Sequence, residues 1–135
     1  MKANTGLAIN SVAIGASATA SGATSIALGE LSKASGAGAI AIGANANAAI
    51  GDSLAVGKGA LVTAGNAAAF GLSATATGTS SLALGKSSTA GEYRAIAIGS
   101  DAQAFGISST GIGAEAQAKG QSAIAFGENS VASGT

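Results

Sequence analysis

Glycine recurs at every fourteenth residue of this chain: Gly15, Gly29, Gly43, Gly57, Gly71, Gly85, Gly99, Gly113 and Gly127 form a column of nine without a slip. Seven residues after these positions comes a second column, Gly22, Gly36, Gly78, Gly106, Gly120 and Gly134. Ile50, Ala64 and Glu92 interrupt it, each with a glycine one place away at Gly51, Gly65 or Gly91. A fixed period of this kind marks a repeat architecture, in which each unit is completed by stacking on the next. The chain has 135 residues, so nine units account for nearly all of it.

The residues between the glycines alternate. Val12-Ala13-Ile14, Ile26-Ala27-Leu28, Ile40-Ala41-Ile42 and Ile96-Ala97-Ile98 each read large, small, large before the first glycine. A period of two belongs to an extended strand, whose successive side chains face opposite ways. The other half of each unit alternates too, as in Ala18-Thr19-Ala20, Ala46-Asn47-Ala48, Ala102-Gln103-Ala104 and Ala116-Gln117-Ala118, with alanine on one face and polar residues on the other. Glycine at both corners would supply backbone angles closed to other residues. A helix fails on both counts: glycines at every seventh place would cost about 1 kcal/mol each, and the alternation has the wrong period. The expected fold is therefore all-β: a parallel β-solenoid (β-roll) of 14-residue coils with two short strands per coil. Residues 1–9 are expected to form a lead-in or partial coil and residues 10–135 about nine repeats.

Strand parity assigns faces. The alanines can meet inside the coil, which leaves the bulky column pointing out: Val12, Ile14, Ile26, Leu28, Ile40, Ile42, Leu54, Val56, Phe70, Leu82, Leu84, Ile96, Ile98, Ile112, Ile124 and Phe126. Only Ala68 and Thr110 break the series. A continuous apolar stripe of this length is more than a soluble monomer tolerates. Each such side chain contributes about 1.5–3 kcal/mol when buried. The stripe is accordingly expected to form the core of a symmetric homo-oligomer, for which a ring about a common axis is the simplest closed arrangement.

Composition removes several function classes. Of the residues, 36 are Ala and 22 are Gly, with six basic and six acidic side chains, no Cys and no His. Zero net charge gives no electrostatic footprint for nucleic acid. Without Cys there is neither a disulfide framework nor a thiolate metal site, and without His the commonest general base and zinc ligand are missing. No apolar run approaches the roughly 20 residues of a membrane-spanning helix, and no apolar signal stretch follows Met1-Lys2.

Units such as Asn10-Ser11-Val12-Ala13-Ile14-Gly15, Ser25-Ile26-Ala27-Leu28-Gly29, Ala95-Ile96-Ala97-Ile98-Gly99 and Ser122-Ala123-Ile124-Ala125-Phe126-Gly127 resemble the head repeats of YadA-like trimeric autotransporter adhesins. The likeness runs over about residues 10–135. It implies a left-handed β-roll, a homotrimer, and display at the cell surface from the outer membrane of a Gram-negative bacterium by an anchor that this stretch does not contain. It further implies attachment to host extracellular matrix. The residues themselves, with no His and no polar groups expected to converge in a cleft, give no expectation of enzyme activity, cofactor or metal. In the family, the segment Asn-Ser-Val-Ala-Ile-Gly-x-Ser is associated with collagen. Here it stands intact once, from Asn10 to Ser17, which makes Asn10 and Ser17 candidate contacts.

The outward column of the second strand is the other candidate surface. Thr19, Thr75, Gln103 and Gln117 lie in it, with Thr77 and Phe105 two places on from Thr75 and Gln103. Small hydroxyls and amides suit an extended partner held by many weak contacts, and oligomer symmetry would multiply them. Leu61, Phe105 and the Glu92-Tyr93-Arg94 corner are possible anchors. Asp101 and Glu115 share a column in adjacent coils, with Asn129 next, where a hard cation is conceivable; solvated corner carboxylates are the plainer expectation. Two other functions fit the pattern less well. One is a purely structural spacer of a surface fibre, and the other an ice-binding solenoid, for which the threonine array is too interrupted.

Overall fold

The structure is a computed structural model that describes Asn4 and residues 9–134. Among these, eighteen short strands form two nine-stranded parallel sheets. The first sheet runs from Val12–Ile14 to Ile124–Phe126 in three-residue strands, and the second from Thr19–Ala20 to Val131–Ala132 in two-residue strands. Each strand pairs with its equivalent in the next coil, so that Val12 stands beside Ile26, Ile14 beside Leu28, and Thr75 beside Thr89. The expected solenoid of about nine 14-residue coils, two strands to a coil, is the fold observed. Most of the expected lead-in, residues 1–3 and 5–8, lies outside the described residues, as does Thr135; Asn4 bridges Thr19 in parallel.

Equivalent positions sit above one another, so the hydrogen-bond ladder does not stop at the corners. Gly29 N–H donates to the Ile14 carbonyl at 2.8 Å, Leu31 to Ala16 at 2.8 Å and Gly38 to Ala23 at 2.9 Å. Both corners are four-residue turns closed the same way, with Ala18 N–H donating to the Gly15 carbonyl and Ser25 N–H to the Gly22 carbonyl, each at 3.2 Å. The third residue of each turn is left-handed, as in a type II turn. These residues recur every seven places, from Asn10 (φ 57°), Ser17 (φ 57°) and Thr24 (φ 56°) to Asn129 (φ 57°), and only Gly38 and Gly59 among them are glycine. Each coil is thus two similar seven-residue halves.

Both glycine columns press on the backbone of the next coil, and only the first also has the backbone angle expected from sequence, which corrects that single expectation. In the first column φ lies between 113° and 136°, a region other residues avoid. Gly22, Gly36, Gly78, Gly106 and Gly120 are not in that region, but a Cβ on any of them would stand 1.9–2.1 Å from a backbone atom of the coil above. Close approach, not backbone angle, demands glycine there.

Left-handed geometry costs a residue with a Cβ about 1–2 kcal/mol, least for Asn and Asp and most for β-branched residues. Thr24 is the β-branched occupant, and its hydroxyl donates to the adjacent Ala23 carbonyl at 2.7 Å. Thr24→Asn is expected to stabilise the chain by about 0.5–1 kcal/mol, read as a rise of a few degrees in the thermal midpoint.

The interior is made of methyl and hydroxyl groups. Ala20, Ala27, Ala34, Ala41, Ala48 and Ala55 are fully buried, and Val62 is the largest fully buried side chain. A fourth inward column went unrecognised in the sequence because it mixes Ser with Ala: Ser25, Ala39, Ser53, Ala67, Ser81, Ala95 and Ser109. Its serines tie the corners to the core. Ser25 Oγ donates to the Gly22 carbonyl at 2.6 Å, Ser53 Oγ to Ile50 at 2.5 Å, and Ser109 Oγ accepts from Gly106 N–H at 3.1 Å. Ser81 Oγ is buried without a partner.

Candidate binding surfaces

Every member of the bulky column points away from its own coil. Ile14 is 63 % exposed, Ile124 70 % and Phe126 76 %, and none of the sixteen is buried in the single chain. The interior could not take them, since the sheets approach closely enough for alanine to fill it. Val12, Ile26, Ile40, Leu54, Leu82 and Ile96 make one row, and Ile14, Leu28, Ile42, Val56, Phe70, Leu84, Ile98 and Ile112 a second row beside it. The first sheet is therefore a long, mainly aliphatic face, interrupted in the first row only by Ala68 and Thr110.

Asn10 and Ser17 do not converge. They occupy the third positions of two successive turns, one on each side of the outward strand Val12–Ile14. Asn10 is exposed and Ser17 half-buried, and their seven-residue spacing is the spacing of the turns themselves. Asn, Asp and Ser tolerate left-handed angles better than most residues. The polar ends of this segment thus have a local structural reason, which the repeated Asn, Asp and Ser at Asn45, Asp52, Asn66, Ser73, Ser80 and Ser87 could have signalled.

On the second sheet the outward column reads Thr19, Lys33, Asn47, Leu61, Thr75, Thr89, Gln103, Gln117 and Val131, in register from coil to coil. Several hydroxyls are already engaged as donors. Thr19 Oγ1 reaches the Ser17 carbonyl at 3.5 Å, Thr75 Oγ1 the Ser73 carbonyl at 3.4 Å, and Thr77 Oγ1 the Gly91 carbonyl of the next coil at 3.1 Å. These hydroxyls face a ligand mainly as acceptors. The half-buried amides of Gln103 and Gln117 stack in adjacent coils and bring both donors and acceptors. Phe105, 45 % exposed, lies over Gly91 of the coil below, where a Cβ would be 2.9 Å from its ring.

The remaining candidates are exposed. Arg94 lies over the Tyr93 ring at 4.8 Å on the corner that also holds Ile107, 46 % exposed. Asp101 and Glu115 sit on the opposite corner, where Asp101 Oδ2 accepts from Ser100 Oγ at 2.8 Å. The described residues form no pocket and no group of three or more His, Cys, Asp or Glu side chains. What the molecule offers a partner is two long flat faces, one aliphatic and one polar, joined by two ribbed corners.

A family model described as the YadA head domain repeat matches residues 8–60 and 63–135 in eight overlapping two-copy segments, the first 8–32 and the last 118–135. Among solved structures, the chain is similar to the collagen-binding domain of the Yersinia adhesin YadA, with 25% identity and a TM-score of 0.71. That match covers 93% of this chain and 69% of the other. No curated protein sequence matches.

Proposed function

This chain belongs to the YadA head-repeat family, and on that premise we propose that it is the head of a homotrimeric adhesin on a Gram-negative cell surface, attaching the cell to collagen or a similar extended matrix protein. The observation that carries the reading is the aliphatic face of the first sheet. It runs the length of the solenoid, and its own alanine-filled coil has no room for it. Turning three such faces to a common axis buries them and leaves three polar faces outward. A long matrix fibre then meets the same weak site three times, which raises avidity without any strong individual contact.

Collagen binding is a property of the Yersinia domain; for this chain the polar sheet is the surface assigned to the ligand. Gln103 and Gln117 supply hydrogen bonds, Phe105 an apolar contact, and Thr19, Thr75 and Thr77 acceptor oxygens. Asn10 and Ser17 act through the turns they build. The test is binding of the purified oligomer to immobilised triple-helical collagen by surface plasmon resonance. Gln103→Ala with Gln117→Ala is expected to weaken binding by roughly tenfold, the loss of two net hydrogen bonds. Asn10→Ala with Ser17→Ala is expected to lower the thermal midpoint while changing affinity little. No binding to native collagen would leave the spacer function, which the structural engagement of Asn10 and Ser17 favours.

A further inference from the structure

Beyond the stripe, the two corners of each coil are complementary to one another. Going along any coil, a leading corner precedes the aliphatic strand and a trailing corner follows it. The middle two residues of the nine leading turns carry only two charges, Asp52 and Arg94. Each has an opposite charge at the trailing corner of its own coil, Lys58 and Asp101 respectively. All four are exposed. The strand between the two corners holds them roughly 15 Å apart, too far to pair within one chain. The neighbouring Glu92 sits at the first place of its turn, on the side of the polar sheet.

Size follows the same rule. Leu72, 47 % exposed at a trailing corner, has Gly65 at the leading corner of its coil. Ile107, at a leading corner, has Ala114 opposite. Gly65 is informative because its own chain does not require it: its φ is not left-handed, and a Cβ there would meet nothing nearer than 3.7 Å. This is one of the places where glycine left its regular column, since Ala64 holds the column position and Gly65 the next.

We propose that in the oligomer the leading corner of each protomer docks against the trailing corner of a second copy at the same height, so that Arg94 meets Asp101, Asp52 meets Lys58, and Leu72 fills the space left by Gly65. The proposal rests on the oligomer reading and deepens it by naming the seam and its register. A closed ring about an axis parallel to the solenoid puts equal coils level, and equal coils are the ones that match. A slip of one coil sets Arg94 against Lys86 in one direction and leaves Asp52 without a charge partner in both. A slip of two coils would pair Asp52 with Lys86 and Arg94 with Glu128, but an offset accumulates from copy to copy and gives an open filament.

The chain contains no cysteine, so a designed disulfide reads the seam directly. Gly65→Cys with Leu72→Cys places two thiols that can bridge only between copies. Mild oxidation of the oligomer is expected to give a covalent ladder on denaturing gels that ends at the oligomer number found by sedimentation. An oligomer that forms no such bridge, or a ladder without an end, overturns the seam while the oligomer reading stands. A wild-type chain that sediments as a monomer overturns both. Should the cysteine variant fail to fold, Arg94→Asp is expected to raise the dissociation midpoint roughly tenfold at low salt, summed over the ring, and less at 1 M salt. Adding Asp101→Arg is expected to restore it, and comparing the double variant with both singles cancels what each change costs its own turn. Absence of that restoration would equally overturn the seam.

Discussion

Gly106→Ala is expected to lower the stability of the chain by roughly 3–5 kcal/mol, a fall of roughly 10–20 °C in the thermal midpoint. The added Cβ would stand 2.0 Å from the Gly120 carbonyl oxygen, 2.4 Å from its carbon and 3.0 Å from Gln121 N. All three are backbone atoms of the coil above, so no side chain can swing aside. Relief requires the coils to part, which breaks the ladder on both sides of the turn, including the Phe105 N–H bond to the Ala118 carbonyl at 2.9 Å and the Ser122 N–H bond to the Ile107 carbonyl at 2.8 Å. Gly134→Ala is the matched control. It lies in the same column, but a Cβ there meets nothing within 4 Å, and the midpoint is expected to move by less than about 1 °C. Circular dichroism melts of the two variants check the claim. Equal melts would mean that stacking distance is not what selects glycine in this column.

Ile42→Lys is expected to dissociate the assembly. Ile42 is 37 % exposed in the single chain and stands between Leu28 and Val56 on the aliphatic face. In the proposed ring its equivalents converge near the axis. Each substitution forfeits about 1.5–3 kcal/mol of burial and sets an ammonium among aliphatic groups, where no carboxylate of the first sheet can meet it. Counted over three chains, this raises the dissociation midpoint by roughly a thousandfold or more. Sedimentation velocity of the variant beside the parent chain measures it. Ser35→Lys, an exposed position at the end of a second-sheet strand, is expected to leave the oligomer intact. Loss of assembly in both variants alike would show that added charge, and not the aliphatic face, is responsible.

Much of this fold was readable in the residues themselves. The strict spacing of Gly15 to Gly127 gave the coil, and the alternation at Val12-Ala13-Ile14 and its equivalents gave the strand and its outward face. Those signals are strong because each position admits one chemical type. The left-handed column was harder to see because its occupants differ: Asn10, Ser17, Thr24, Leu31, Gly38, Arg94 and Glu115 share a backbone angle and no side-chain property. The fourth inward column hid for a related reason. A buried serine that donates to a turn carbonyl three residues back serves the core as well as alanine does, so Ser25 and Ala39 look different and act alike.

The candidate ligand surface was legible only in part. Parity placed Thr19, Thr75, Gln103 and Gln117 on the outer face of the second sheet, but it could not reveal that the threonine hydroxyls lean back on turn carbonyls. Nor could it separate Asn10 and Ser17 as contacts from Asn10 and Ser17 as turn formers, because the same residue types favour both roles. Backbone angle decides that question, and side-chain chemistry alone does not.

The division of each coil into two like halves limits how the molecule can be lengthened. Inserting or deleting fourteen residues adds or removes one rung and leaves every later residue on the face it had. A change of seven also preserves the turns and the inward columns, yet it exchanges the two sheets for everything downstream, carrying the aliphatic rows to the ligand side and the polar column to the axis. Length variants of such a head should therefore differ by whole rungs, and one that differed by half a rung would be divided across its middle.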